Sequence, residues 1–96
     1  MEYNGNMDTI RLRLRIYGRV QGVFFRASAE QEAGKIGVSG FVRNEPDGSV
    51  VIEVEGGRTA VDSFVEWAKQ GPSRAVVERI VIESLSTVAD DGFVIL

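Results

Sequence analysis

The chain contains no cysteine and no histidine. That removes disulfides, thiolate and imidazole metal sites, Cys and His nucleophiles, and every triad that relies on an imidazole base. Chemistry is left to Arg, Lys, Asn, Ser, carboxylates and the backbone. Long apolar runs are missing too: stretches such as Ile80-Val81-Ile82 fall far short of the roughly 20 residues that span a bilayer. Met1–Ile10 lacks the apolar stretch of a signal peptide, so a cytoplasmic protein without membrane contact is expected. Nor is there an excess of basic charge. Eleven Lys and Arg stand against fourteen Asp and Glu, a net charge of −3, which disfavours a nucleic-acid surface.

What is present describes one small globular domain. Ninety-six residues leave no room for a second domain, and 44% hydrophobic with 26% charged residues matches ordinary soluble chains. Residues 1–9 are polar, with an Asn4-Gly5 turn pair, and read as a flexible extension ahead of a domain at 10–96. The charge is unevenly placed. No carboxylate falls between Asp8 and Glu30, whereas Arg11, Arg13, Arg15, Arg19 and Arg26 do. Such a stretch attracts anions, but Arg11, Arg13 and Arg15 alternate with Leu12, Leu14 and Ile16 and read first as the polar face of a strand.

The periodicity sets out the elements in order. Arg11–Tyr17 alternates as a half-buried strand, and Gly18 to Gly22 breaks it with a loop. From Phe25 the step changes: Phe25, Ala29, Ala33 and Ile36 share one face of a helix that Gly37 ends. Ser39–Asn44 is a second strand, and Glu45-Pro46-Asp47-Gly48 is a turn into a third that carries Val50, Ile52 and Val54. Thr59, with Asp62 three residues on, reads as the cap of a second helix buried through Val61, Phe64, Val65 and Ala68 and stopped by Gly71-Pro72. Ala75–Leu85 is a fourth strand and Phe93–Leu96 a short fifth.

This βαββαβ order is that of the ferredoxin-like split βαβ sandwich, an α+β fold. The expectation is an antiparallel sheet of four to five strands with two helices on one face. Right-handed crossovers make strands one and two parallel, with strand three between them. Their carboxyl ends then share one sheet edge, which brings the Gly18–Arg26 segment beside Asn44. A glycine-bracketed loop running into a helix offers unpaired N–H groups and the positive end of the helix dipole to an anion. Arg26 adds a bidentate donor in the first helical turn. Arg19 is a second cation there, or a solvated loop charge. Asn44 reads either as a turn former bonding local backbone or as a holder of water. Neither Arg26 nor Asn44 serves as a general base near neutral pH, so a labile substrate is implied.

At these residues the chain resembles the acylphosphatases. Gly18-Arg19-Val20-Gln21-Gly22-Val23-Phe24-Phe25-Arg26 matches the first signature of that family at every specified position. Gly40-Phe41-Val42-Arg43-Asn44, followed by Gly48, Val50 and Gly56, matches the second. The resemblance implies hydrolysis of the carboxyl-phosphate bond of a small acyl phosphate to a carboxylate and inorganic phosphate, without metal or cofactor. It implies that Arg26 binds the phosphate, that the amides of Val20, Gln21, Gly22, Val23, Phe24 and Phe25 cradle its oxygens, and that Asn44 orients the attacking water. Phosphate is then product and competitive inhibitor, and a monomer is expected. The alternative is a non-catalytic phosphate or carbamoyl-phosphate binding module, since similar domains occur fused to larger maturation proteins. Two departures stand out: the acidic Glu45 just after Asn44, and the apolar end Phe93-Val94-Ile95-Leu96.

Overall fold

A computed structural model describes residues 9–96. Most of the extension expected at residues 1–9 lies outside them, and Thr9 is already the first residue of a strand. The elements are β1 (Thr9–Arg19), α1 (Phe25–Ile36), β2 (Ser39–Asn44), β3 (Val50–Gly57), α2 (Arg58–Ala68), β4 (Val76–Leu85) and β5 (Phe93–Ile95). They form one five-stranded sheet in the order β4-β1-β3-β2-β5. β3 pairs antiparallel with both β1 and β2, which makes β1 and β2 parallel and aligns their carboxyl ends. No helix of the described residues is long and apolar enough to cross a membrane.

Two expectations need correction. The sheet is mixed, because β5 adds to β2 in parallel through Gly40–Val42 and Phe93–Ile95. The chain leaves β4 at one edge and crosses to the opposite edge before re-entering the sheet, so no hairpin dictates its direction. The start of α2 also differs. Thr59 lies inside the helix; β3 runs straight into it, with extended Gly57 at the cap position, no side-chain cap bond and no acidic residue in the first turn.

The alternation along the strands splits the sheet into an apolar and a charged face. Leu14 and Ile16 of β1 stand opposite Ile52 and Val50 of β3 and pack with Val42 and Val54 against the helices. α1 contributes Phe25, Ala29 and Ala33 to this core, and α2 contributes Val61, Phe64, Val65 and Ala68, the stripes expected from their spacing. Trp67 joins Phe25 and Phe64 with ring centroids 5.5 Å away in each case.

On the other face the arginines of β1 meet carboxylates. Arg11 reaches Glu53 at 2.9 Å, Glu55 at 3.0 Å and Asp90 at 2.8 Å. Arg13 lies 3.2 Å from both Glu53 and Glu83. Arg11 is only 4% exposed, and burial opposes its charge, but Asp90, Glu53 and Glu55 outweigh that and raise its pKa. Glu55 also accepts the backbone N–H groups of Val88 and Ala89 at 2.9 Å each. The crossing segment 86–92 is thereby tied to the starts of β1 and β2, where Gly40 N–H donates to Gly92 O at 3.0 Å. β5 then runs back along β2 until the Leu96 N–H donates to Val42 O at 2.9 Å, close to Asn44.

Candidate active site

The loop after β1 is shaped by its glycines and anchored by its apolar side chains. At Gly18 the pairing of β1 with β4 shifts register, and a Cβ there would collide with the Val76 carbonyl. Gly22 takes φ 75° with open space around it. Val20, Val23 and Phe25 point into the core, while Gly22, Phe24 and Arg26 face out. The first group therefore offers a ligand its backbone and not its side chains. Phe24, at φ 66° and ψ 25°, is left-handed, a conformation that costs a bulky residue about 1–2 kcal/mol.

This geometry frees donors. The first helical bond closes only at Ser28, whose N–H donates to Phe24 O at 3.0 Å. From Gln21 through Ala27 the backbone N–H groups have no acceptor among the described residues. No acidic side chain occupies the first turn of α1 and no side chain caps it, so the positive end of the helix is unquenched.

Asn44 ends β2 at the same edge and lines the same cavity as Arg26. The turn that follows it is closed by other groups. Asp47 Oδ1 accepts the Ser49 N–H at 2.9 Å and the Ser49 hydroxyl at 2.6 Å, and those bonds lower the Asp47 pKa. Glu45 N–H donates to Ser49 O and Gly48 N–H to Glu45 O. The Asn44 side chain makes no hydrogen bond among the described residues, so it does not serve as the turn former that its position suggested.

Gln21 has a role that sequence reasoning missed. Its Nε2 donates to Glu45 O at 2.8 Å and Ser49 O at 2.9 Å, pinning the loop to the turn beyond Asn44. Its side chain is thus spent on protein, and only its backbone N–H is left for a ligand. No local pattern signals this, because the partners lie 24 and 28 residues away. Glu45 does not burden the site with free negative charge: Arg43 Nε stands 2.6 Å away and Arg15 Nη1 3.7 Å away. Arg19 is exposed at the end of β1 and does not line the cavity.

The cavity measures about 350 Å³. Val20, Gly22 and Phe24 from the loop, Phe25, Arg26 and Ala27 from α1, Asn44 and Ile95 line it. Arg26 is its single charged residue; its guanidinium is exposed, and Nη1 donates to Leu96 O at a long 3.5 Å. A larger depression of about 580 Å³ lies at the opposite end of the sheet, but Glu30, Glu55, Asp90 and Asp91 line it. Those carboxylates repel an anion, so of the two the smaller cavity, with Arg26 as its charged residue, is electrostatically the better host for one.

Residues 12–95 match the family model described as Acylphosphatase. An acylphosphatase of Thermococcus kodakarensis is 47% identical over 87 residues, covering 91% of this chain and 96% of the relative. The crystal structure of the acylphosphatase from Bacillus subtilis superposes with a TM-score of 0.87 at 36% identity, over 91% of this chain and 98% of that one. Full-length HypF in its phosphate- and nucleotide-bound form superposes with a TM-score of 0.81 at 27% identity, over 92% of this chain but 12% of HypF.

Proposed function

This chain belongs to the acylphosphatase family and is an acyl phosphate hydrolase, and we propose that the Val20–Phe25 loop and Arg26 hold the phosphoryl group while Asn44 orients the attacking water. The observation that carries this reading is the coincidence of three things at one cavity: the backbone N–H groups of Gly22 and Phe24 through Ala27, the guanidinium of Arg26 and the side-chain amide of Asn44. Those N–H groups and that amide have no hydrogen-bond partner among the described residues, while Gln21 and Val23 of the same loop do not line the cavity. Phosphoryl transfer asks mainly for positioning and for stabilisation of charge on the equatorial oxygens. Backbone donors and one guanidinium supply that stabilisation, and an acyl phosphate already carries a good leaving group. The reaction so framed runs without metal or cofactor.

In the proposed step, a water oxygen held by Asn44 bonds to phosphorus as the bond from phosphorus to the carboxyl oxygen breaks. The electron pair leaves with the carboxylate. No imidazole or thiolate exists to take the water's proton, and it passes to an oxygen of the transferring phosphoryl group. A dianionic acyl phosphate and water thus yield a carboxylate and dihydrogen phosphate.

Phosphate release from acetyl phosphate tests the assignments. Arg26→Ala is expected to cut kcat/KM at least about a hundredfold, the usual effect of removing a principal oxyanion donor, and to weaken inhibition by inorganic phosphate. Asn44→Ala is expected to lower kcat about a hundredfold while phosphate still binds. Full activity in both variants refutes the assignments. The likeness to a segment of HypF keeps a second reading in view, a binding module, which tight phosphate binding without turnover in the wild type would favour.

A further inference from the structure

The apolar rim of the cavity has no part in holding phosphate. Phe24 is 70% exposed, the most exposed of the large apolar side chains among the described residues, yet its neighbours Val23 and Phe25 are buried at 8% and 2%. Its left-handed backbone sends one ring outward from a loop whose other large side chains turn in. Ile95, 40% exposed, lines the same cavity from β5. The parallel pairing of Ile95 with Val42 sets it two residues before Asn44 along the adjacent strand. Exposed apolar groups gathered at one cavity beside a polar anchor mark a ligand surface.

Volume and charge define what fits. The four oxygens of the substrate's phosphate, three terminal and one bridging to the acyl carbon, at about 30 Å³ each by the liquid-water measure, fill on the order of 120 Å³. The cavity holds about 350 Å³, so space remains for a group of aromatic size. Arg26 is the only charged residue on its wall. With Arg26 engaged by phosphate, nothing there pairs a second carboxylate on the acyl group, whereas the Phe24 ring and the Ile95 side chain offer apolar contact.

We infer that Phe24 and Ile95 form an acyl platform, which makes the preferred substrates acyl phosphates with an uncharged, apolar or aromatic acyl group. The inference rests on the phosphate site proposed above. The platform rewards the acyl group in the complex while Arg26 and the loop hold the phosphoryl group in every substrate alike. It therefore sets the ratio between substrates.

The test compares kcat/KM of the full chain for benzoyl, acetyl and succinyl phosphate in the wild type, Phe24→Gly and Phe24→Asn. Glycine and asparagine both accept the left-handed backbone, so the loop path is kept while the ring is lost. The benzoyl-to-acetyl ratio is expected to fall about fivefold to tenfold in both variants, mainly through KM, the low end for loss of an apolar contact because the ring is partly solvated. In the wild type, succinyl phosphate is expected to be the poorest of the three. A ratio that shifts less than twofold in both variants overturns the platform, including the case where all substrates lose activity equally. So does a wild type that turns over succinyl phosphate as well as benzoyl phosphate. Failure of the phosphate site itself reads out separately, as an Arg26→Ala variant that keeps full turnover on all three.

Discussion

Replacing Glu55 by alanine removes the group that ties the crossing segment to the sheet. Its side chain is 6% exposed and accepts Arg11 Nη1 at 3.0 Å and the N–H groups of Val88 and Ala89 at 2.9 Å. Each backbone donor left without a partner costs about 1 kcal/mol where water reaches it and up to about 3 where it does not. Arg11 keeps Glu53 and Asp90, so its loss is limited to about 1 kcal/mol. Together these give a destabilisation of about 3 kcal/mol, a fall in Tm of roughly 12–24 °C for a domain of this size. Glu55→Gln retains an acceptor oxygen and is expected to cost about 1 kcal/mol. Urea unfolding near pH 7 measures both. The pH dependence has a defined sign. Burial disfavours the Glu55 carboxylate, but the Val88 N–H, Arg11 and the Ala89 N–H outweigh it, so its pKa lies below the ordinary value. A depressed carboxyl contributes fully above its unfolded pKa, about 4.3 for glutamate, and loses that contribution as pH falls through the folded value. The gap between wild type and Glu55→Ala is therefore expected to narrow below about pH 4.3. A variant within about 0.5 kcal/mol of wild type, the range of ordinary surface substitutions, or a gap that does not narrow in acid, refutes the reasoning.

Two further substitutions probe how the loop is held. Gln21→Leu deletes the two bonds to Glu45 O and Ser49 O, but each carbonyl keeps a backbone donor. Stability should fall by only about 1 kcal/mol, while kcat for acetyl phosphate should fall about tenfold as the loop and Asn44 lose their fixed separation; wild-type kcat sinks this role. Gly18→Ala drives a Cβ into the Val76 carbonyl at a φ of 131°, and chemical denaturation is expected to show a loss of at least about 2 kcal/mol. An alanine variant as stable as the parent would show that the strand can shift to admit it.

Local signals marked the elements that local physics determines. The Phe25, Ala29, Ala33 spacing and Gly37 delimit α1 at Phe25–Ile36, and the Pro46-Asp47-Gly48 turn sets the end of β2 at Asn44. What stayed hidden depends on partners far along the chain. The parallel docking of β5 needs a crossing of the whole sheet, which alternation within three residues does not encode. The start of α2 at Arg58 follows from β3 continuing to Gly57, where Thr59 resembled a cap only by residue type. The Gln21 contacts and the ion pair of Glu55 with Arg11 are likewise products of the assembled sheet. The acyl rim was half legible: the apolar end of the chain stood out in the sequence, but its place beside Phe24 came only with β5.

The acid-free stretch from Thr9 to Ala29 illustrates why charge placement has to be followed to its partners before it is read as function. Five arginines fall in it, and as a sequence they form one anion-attracting patch. Folding divides them: Arg11, Arg13 and Arg15 share one face of β1, Arg19 is exposed at its end, and Arg26 stands on α1. Arg11 and Arg13 are spent on Glu53, Glu55, Glu83 and Asp90, and Arg15 faces Glu45. Arg26, on a helix that follows a loop, is placed by a different period and pairs with no Asp or Glu side chain among the described residues; its contact there is the main-chain oxygen of Leu96 at a long 3.5 Å. A guanidinium without an acidic side chain beside it, bordered by backbone donors that also lack acceptors among the described residues, leaves room for an anion. The paired arginines serve stability for the same reason that they cannot serve binding: their donors are already taken. The proposed site therefore sits where the ion-pair ladder of the sheet stops, at the carboxyl ends of β1 and β2.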